Sequence, residues 1–259
     1  MKLTFLGTGT SFGVPQLGCH CAVCRSTDSR DKRTRVGALV ESDGGTIVLI
    51  DTPPELRLQL LAAKVERVDA VVYTHDHADH THGIDDLRAF TSRQSAPLPI
   101  YGPADTVDAL TTKFRYIFDD AIQPLPGTSK PKGRAIGVDE GVPFTIGDLT
   151  VIPVRVPHGS ATVFGYRIGP LGYVTDAKAI PRAAIETLRG VDTFVVNALF
   201  RTGHPTHLSI PEAIAAARAI GARQTFLTHL THSISHADLA AELPPGVFPA
   251  YDGLTIELS

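Results

Sequence analysis

Cysteine is scarce in this sequence: three residues in 259, all between positions 19 and 24. An odd, clustered set cannot supply the paired framework of a disulfide-stapled domain. Long apolar runs are missing too. None approaches the ~20 residues that span a bilayer, and the opening "MKLTFLGTGTS" is too briefly apolar for a signal-peptide core. No membrane partner is expected, and the reducing cytoplasm is the simplest setting. Nor is charge of one sign in excess: the formal net charge is −3 and the pI near 6.4. This removes the chain-wide positive field of a nucleic-acid binder. Internal repeats and low-complexity linkers are absent. What remains, with 43% hydrophobic and 20% charged residues, is the composition of a soluble globular protein. Its length suffices to bury a substantial core, and residues 1–259 read as one domain.

Along the chain, strand and helix signals alternate. "KLTFLG", "VGALVES", "TIVLIDT", "VDAVVYT" and "LPIYG" read as strands, and "PPELRLQLLAAKV" and "PADTVDALTTKFRYIF" as helices. Periodicity is lost over residues 121–137, where Pro, Gly and Lys accumulate. This stretch reads as a loop of the kind that moves over a site. Strands resume with "LTVIPVRVPH", "VFGYRIG", "LGYVTD", "VDTFVVNAL", "RQTFLTH" and "GLTIEL", interleaved with the helical "PRAAIETLRG", "IPEAIAAARAIG" and "HADLAAEL". Short connections between such elements predict a layered α/β fold.

Histidine is the residue in surplus, 11 in all, most of them in "HDHADHTH", "HPTH" and "THLTH". His75 and His77, two apart in extended backbone, point to one side of the chain. Asp79 and His80, one turn on, face a second position. That is an arrangement for two neighbouring metal ions. Imidazole and carboxylate ligands suit zinc, manganese or iron, and a site with open coordination positions is of the catalytic kind. His158, Asp176 and His229 each close an apolar strand, where layered α/β proteins assemble their sites. The glycine-rich "GTGTSFG" is not a nucleotide loop: Phe12 occupies the third glycine position of G-x-G-x-x-G, and no Gly-Lys-Ser/Thr ending follows. It reads as a tight turn beside the histidines.

The H-x-H-x-D-H run over residues 75–80, followed in order by His158, Asp176 and His229, resembles the metallo-β-lactamase superfamily of binuclear hydrolases over nearly the whole chain. The resemblance implies an αβ/βα four-layer sandwich, two central sheets with helices outside. It implies that His75, His77 and His158 hold one metal, Asp79, His80 and His229 the other, and that Asp176 bridges them. Two divalent ions ~3.5–4 Å apart lower the pKa of a shared water from ~15.7 toward ~7, so a metal-bridging hydroxide is the expected nucleophile. The opening "FLGTGTSFGVP" resembles the branch that holds the transfer-RNA 3′-processing nuclease and the cyclic-phosphate phosphodiesterase associated with carbon–phosphorus lyase. "GCHCAVC" resembles the latter.

That second likeness implies a structural zinc held by Cys19, Cys21, Cys24 and His232, in keeping with the closed Cys₃His sets of structural sites. His20, inside the knuckle, is the rival fourth ligand. It also makes Asp79 part of the catalytic set and places the catalytic histidine of "HPTHLS" at His207, with His204 as the alternative, to donate a proton to the leaving oxygen. Asp51 is expected to orient ligands. The function these features imply is a metal-dependent phosphodiesterase acting on a small or cyclic phosphodiester. A transfer-RNA 3′ endonuclease and a non-hydrolytic metal-binding module are the alternatives. Dimers are common among such relatives, so a homodimer is allowed. Residues 112–137 depart from the branch in length and composition. Lys130, Lys132 and Arg134 there offer cations for a terminal phosphate, or form a solvated basic loop.

Overall fold

The computed structural model describes residues 1–94 and 96–258 and arranges their strands in two seven-stranded sheets. In the first, β1 (Lys2–Gly7), β2 (Gly37–Glu41), β3 (Ile47–Ile50), β4 (Ala70–Val72), β5 (Leu98–Gly102) and β6 (Gly133–Gly137) follow one another, and β14 (Thr255–Glu257) pairs with β1 at the edge. The second runs β7 (Phe144–Ile146), β8 (Leu149–His158), β9 (Ala161–Ile168), β10 (Leu171–Val174), β11 (Thr193–Asn197), β12 (Gln224–Thr228), β13 (Val247–Pro249). The pairings up to β3 and up to β10 are antiparallel, and those beyond are parallel.

The near-continuous apolar strands follow from burial on both faces. In β3, Val48 and Ile50 face the space between the sheets while Leu49 faces outward, and in β11 Val195 faces inward while Phe194 and Val196 face outward. The outer face of the first sheet is covered by α1 (Leu56–Ala62), α3 (Arg88–Gln94), α4 (Ala104–Lys113) and α5 (Arg115–Phe118), through Leu56, Leu60, Phe90, Leu110 and Ile117. The second is covered by α6 (Arg182–Leu188), α7 (Ile210–Ile220) and α8 (His236–Glu242), through Ala184, Leu188, Ala213, Ile220 and Leu239. Helix, sheet, sheet and helix make the four-layer αβ/βα sandwich. Among the described residues, no helix is long and apolar enough to cross a membrane.

The segment read as a loop over residues 121–137 is corrected in two respects. Its last five residues form β6, parallel to β5. Gly133 stands there because a Cβ would meet Ile100 Cδ1 and Phe118 Cε1, both at 2.9 Å; this glycine marks close packing of a strand. The second correction concerns place. Lys132 and Arg134 lie at the start of β6, opposite the beginning of β5, whereas the metal-ligand candidates leave the other ends of the parallel strands. Lys130 is buried, its Nζ donating to the carbonyls of Tyr116 and Asp119 at 2.7 Å each. It ties the segment to α5 and is neither a phosphate ligand nor part of a solvated basic loop.

Candidate metal centre

Every candidate ligand leaves the carboxyl end of a strand. Asp51 follows β3, His75 follows β4, His158 ends β8, Asp176 follows β10 and His229 follows β12. His77, Asp79 and His80 come from the one-turn helix α2 (Ala78–Thr81) and the residue before it. Asp51, Asp176 and His229 hold left-handed backbone, with φ of 63°, 56° and 55°, a conformation that costs a non-glycine residue ~1 kcal/mol or more. The turn aims each side chain across the end of the sandwich.

The ligand atoms gather into overlapping groups within 4.8 Å: His75, His77 and His158; His75, His80 and Asp176; Asp79, His80 and His229; and His158, Asp176 and His207. His80 Nε2 stands 3.3 Å from Asp176 Oδ2 and 3.6 Å from Asp79 Oδ2, and His229 Nε2 stands 3.2 Å from Asp176 Oδ1. Yet His75 Nε2, His80 Nε2 and His229 Nε2 are buried and make no hydrogen bond. Burial holds His75 well below the ordinary imidazole value, lowers His158, and pushes His229 down to about 4. Burial also opposes charge on His80, but the Asp176 and Asp51 carboxylates outweigh it and raise that imidazole. Asp176 is itself held well below the usual carboxylate range: burial would raise it, and His229, His80 and His207 more than reverse that. Unpartnered imidazole nitrogens facing carboxylate oxygens form a donor set that fits a pair of divalent ions.

Partners behind the ligands fix the rings. His80 Nδ1 lies 2.8 Å from Asp51 Oδ2, and His158 Nδ1 lies 3.0 Å from the Thr206 carbonyl. Thr175 Oγ1 donates to Asp176 Oδ2 at 2.7 Å. Of the two histidines in "HPTH", His207 reaches the centre: its Nε2 is 2.9 Å from Asp176 Oδ1, and its ring stacks on His229 with centroids 4.9 Å apart. His204 lies behind it, Nδ1 to Nδ1 at 3.4 Å. The threonines were not singled out from sequence, although one precedes each of His75, Asp176 and His229. Lys113 was missed as well. Its Nζ donates to the backbone carbonyl of Asp76 at 2.9 Å and to Oδ2 at 2.6 Å, between His75 and His77.

A second group forms at the N-terminal loop. Cys19, Cys21 and Cys24 Sγ lie 3.2, 3.5 and 3.5 Å from His232 Nδ1. His20, the rival, is exposed and outside this group. Separations near 3.5 Å are the edges of a tetrahedron whose centre lies ~2.0–2.3 Å from nitrogen and sulfur. A hydrogen bond from the Cys24 backbone helps lower the Cys21 thiol to about 6, and burial pushes Cys24 up to about 11. The turn "GTGTSFG" lies against the adjoining segment, Leu230 N–H donating to the Thr8 carbonyl at 2.8 Å. Gly9 is needed there because a Cβ would lie 2.6 Å from the Arg33 carbonyl.

Residues 46–230 match the β-lactamase superfamily domain. With its four-layer fold and clustered histidines, the chain belongs to the metallo-β-lactamase superfamily. It is most instructively compared with a solved diphosphatase of the PhnP family, 38% identical, with a TM-score of 0.90 over 100% of this chain and 98% of that one. An octanoyltransferase of Porphyromonas gingivalis is 40% identical over 259 residues, 98% of this chain and 51% of that protein. The chain therefore spans about half the length of that curated relative. The short form of human tRNase Z shares the fold at 19% identity, with a TM-score of 0.70 and 100% of each chain covered. Fold and candidate ligand set are those of a metal-binding member of the superfamily.

Proposed function

We propose that the protein hydrolyses small phosphate diesters, including the diester-like linkage of a diphosphate, at a centre of two divalent ions. The observation that carries this is His207 Nε2, 2.9 Å from Asp176 Oδ1 and stacked on His229, in a ligand group shared only with His158 and Asp176. His75, His77 and His158 would hold one ion, Asp79, His80 and His229 the other, with Asp176 between them. When bound, such ions supply Lewis acidity toward phosphoryl oxygens and a water of lowered pKa. The remaining chemistry belongs to the chain. Thr206 Oγ1, 2.9 Å from His207 Nδ1, keeps the ring turned so that Nε2 faces the centre. From there it delivers a proton to the departing oxygen.

The PhnP-family diphosphatase supports a phosphorus-centred reaction. The likeness to tRNase Z is one of fold alone. The name of the Porphyromonas relative describes a protein twice this length, and the three thiols that could serve as an acyl-carrying nucleophile are turned toward His232.

The test is a metal-loaded preparation assayed on bis(p-nitrophenyl) phosphate, 2′,3′-cyclic nucleotides and a nucleoside diphosphate ester, beside Asp79→Ala. Turnover by the wild type and its loss in the variant are expected. A wild type as inert as Asp79→Ala across the panel overturns the reading.

A further inference from the structure

We propose that Thr74 is a positioning residue that relays the polarity of Asp51 to His75, so that one buried carboxylate decides which nitrogen two histidines present to the metals. The proposal rests on the metal centre described above. Asp51 is fully buried at the end of β3. Its Oδ1 accepts the Thr74 backbone N–H at 2.8 Å, and its Oδ2 accepts the Thr74 hydroxyl at 2.8 Å and lies 2.8 Å from His80 Nδ1. A threonine hydroxyl has a single proton to give. With that proton directed at Asp51, Thr74 Oγ1 meets His75 Nδ1, 3.0 Å away, only as an acceptor.

His75 therefore carries its proton on Nδ1 and leaves Nε2 bare. His80 does the same through its direct contact with Asp51. These two Nε2 atoms are among the buried ones with no hydrogen-bond partner. His75 shares a ligand group with His77 and His158, and His80 shares one with Asp79 and His229. Asp51 thus serves both metal positions, one directly and one through a hydroxyl.

The relay has a direction, and a change of one atom group reverses it. In Asp51→Asn, with Oδ1 kept on the Thr74 N–H, the new NH₂ donates to Thr74 Oγ1 and His80 Nδ1. The threonine proton then turns to His75 Nδ1, and both rings present a protonated Nε2 that cannot ligate. Asparagine tolerates the left-handed backbone of this position. Thr74→Val removes the hydroxyl from between Asp51 Oδ2 and His75 Nδ1 and keeps the backbone contacts: the residue-74 N–H still meets Asp51, and its carbonyl still accepts the Phe164 N–H at 2.9 Å.

Zinc bound per chain, measured by mass spectrometry with stepwise competition against a chromogenic chelator, tests this. Beyond any metal held by the cysteine knuckle, the wild type should show two binding steps. Thr74→Val should weaken one step by about 10- to 100-fold, Thr74→Ser should restore it, and Asp51→Asn should weaken both, with circular dichroism unchanged. Two wild-type steps in Thr74→Val, or a Thr74→Ser that behaves like Thr74→Val, overturns the relay. A wild type with fewer than two steps overturns the binuclear centre itself and the relay with it.

Discussion

At the residue scale, His207 separates binding of the metals from proton delivery. It reaches Asp176 through Nε2 and shares a ligand group with His158 and Asp176, but belongs to none of the three groups that carry the H-x-H-x-D-H histidines. His207→Ala should therefore keep its catalytic metals and lose ~10²–10⁴ in kcat on substrates with alkoxide leaving groups. The loss should be much smaller for p-nitrophenolate, which departs without a proton. Paired assays of the two substrate types, with metal content measured on the same samples, check this. Equal losses on both would remove the general-acid role. The seven candidate ligands stood out in the sequence because His75, His158, Asp176 and His229 each close or follow an apolar strand and His77, Asp79 and His80 crowd the turn after one, a pattern that few bland surfaces imitate. Thr74 was not legible. Its role depends on one hydroxyl proton shared between side chains from two strands, and nothing in a threonine's identity announces it.

At the scale of elements, the strands buried on both faces were readable as apolar runs, while the edge strands β7 and β13 were not. β7 and β13 have three residues each, too few for any period to show. β6 was hidden among glycines and prolines, although Gly133 is the one that lets Ile100 and Phe118 approach it. The helix before the last ligand strand was plain: α7 opens on Ser209, whose side chain caps Glu212 N–H while Glu212 caps Ser209 N–H. Hydrogen bonds from Ser209 and the Lys178 ammonium, 3.0 Å away, lower Glu212 from 4.5 to about 2. A carboxylate depressed in the folded state adds stability that is fully present above its unfolded value and lost as pH falls through its folded one. Glu212→Ala should thus be less stable than wild type by ~1 kcal/mol near neutrality. The gap should close between pH 4.5 and about 2. Urea melts across that range check it, and a gap independent of pH would contradict the assignment.

At the scale of the whole molecule, the knuckle joins the N-terminal loop to the segment after His229. Arg33 reinforces the joint, its buried guanidinium donating to the carbonyls of Thr231 and Ile234, the latter at 3.1 Å. His232→Ala should lose one metal per chain, melt at a lower temperature and become open to protease within residues 13–30. Unchanged metal content would remove His232 as a ligand. Such long-range joints escape sequence reading because 213 positions separate Cys19 from His232; only likeness to a family suggested the pair.

The left-handed turns at Asp51, Asp176 and His229 bear on how such a protein evolves. Glycine would relieve each turn, but at Asp51 and Asp176 it would also strip buried hydrogen bonds from Thr74, His80, Thr175 and His207. His229, whose ring nitrogens have no hydrogen-bond partner, is the turn where a screen rewarded only for heat tolerance finds an easy gain, and taking it deletes a ligand.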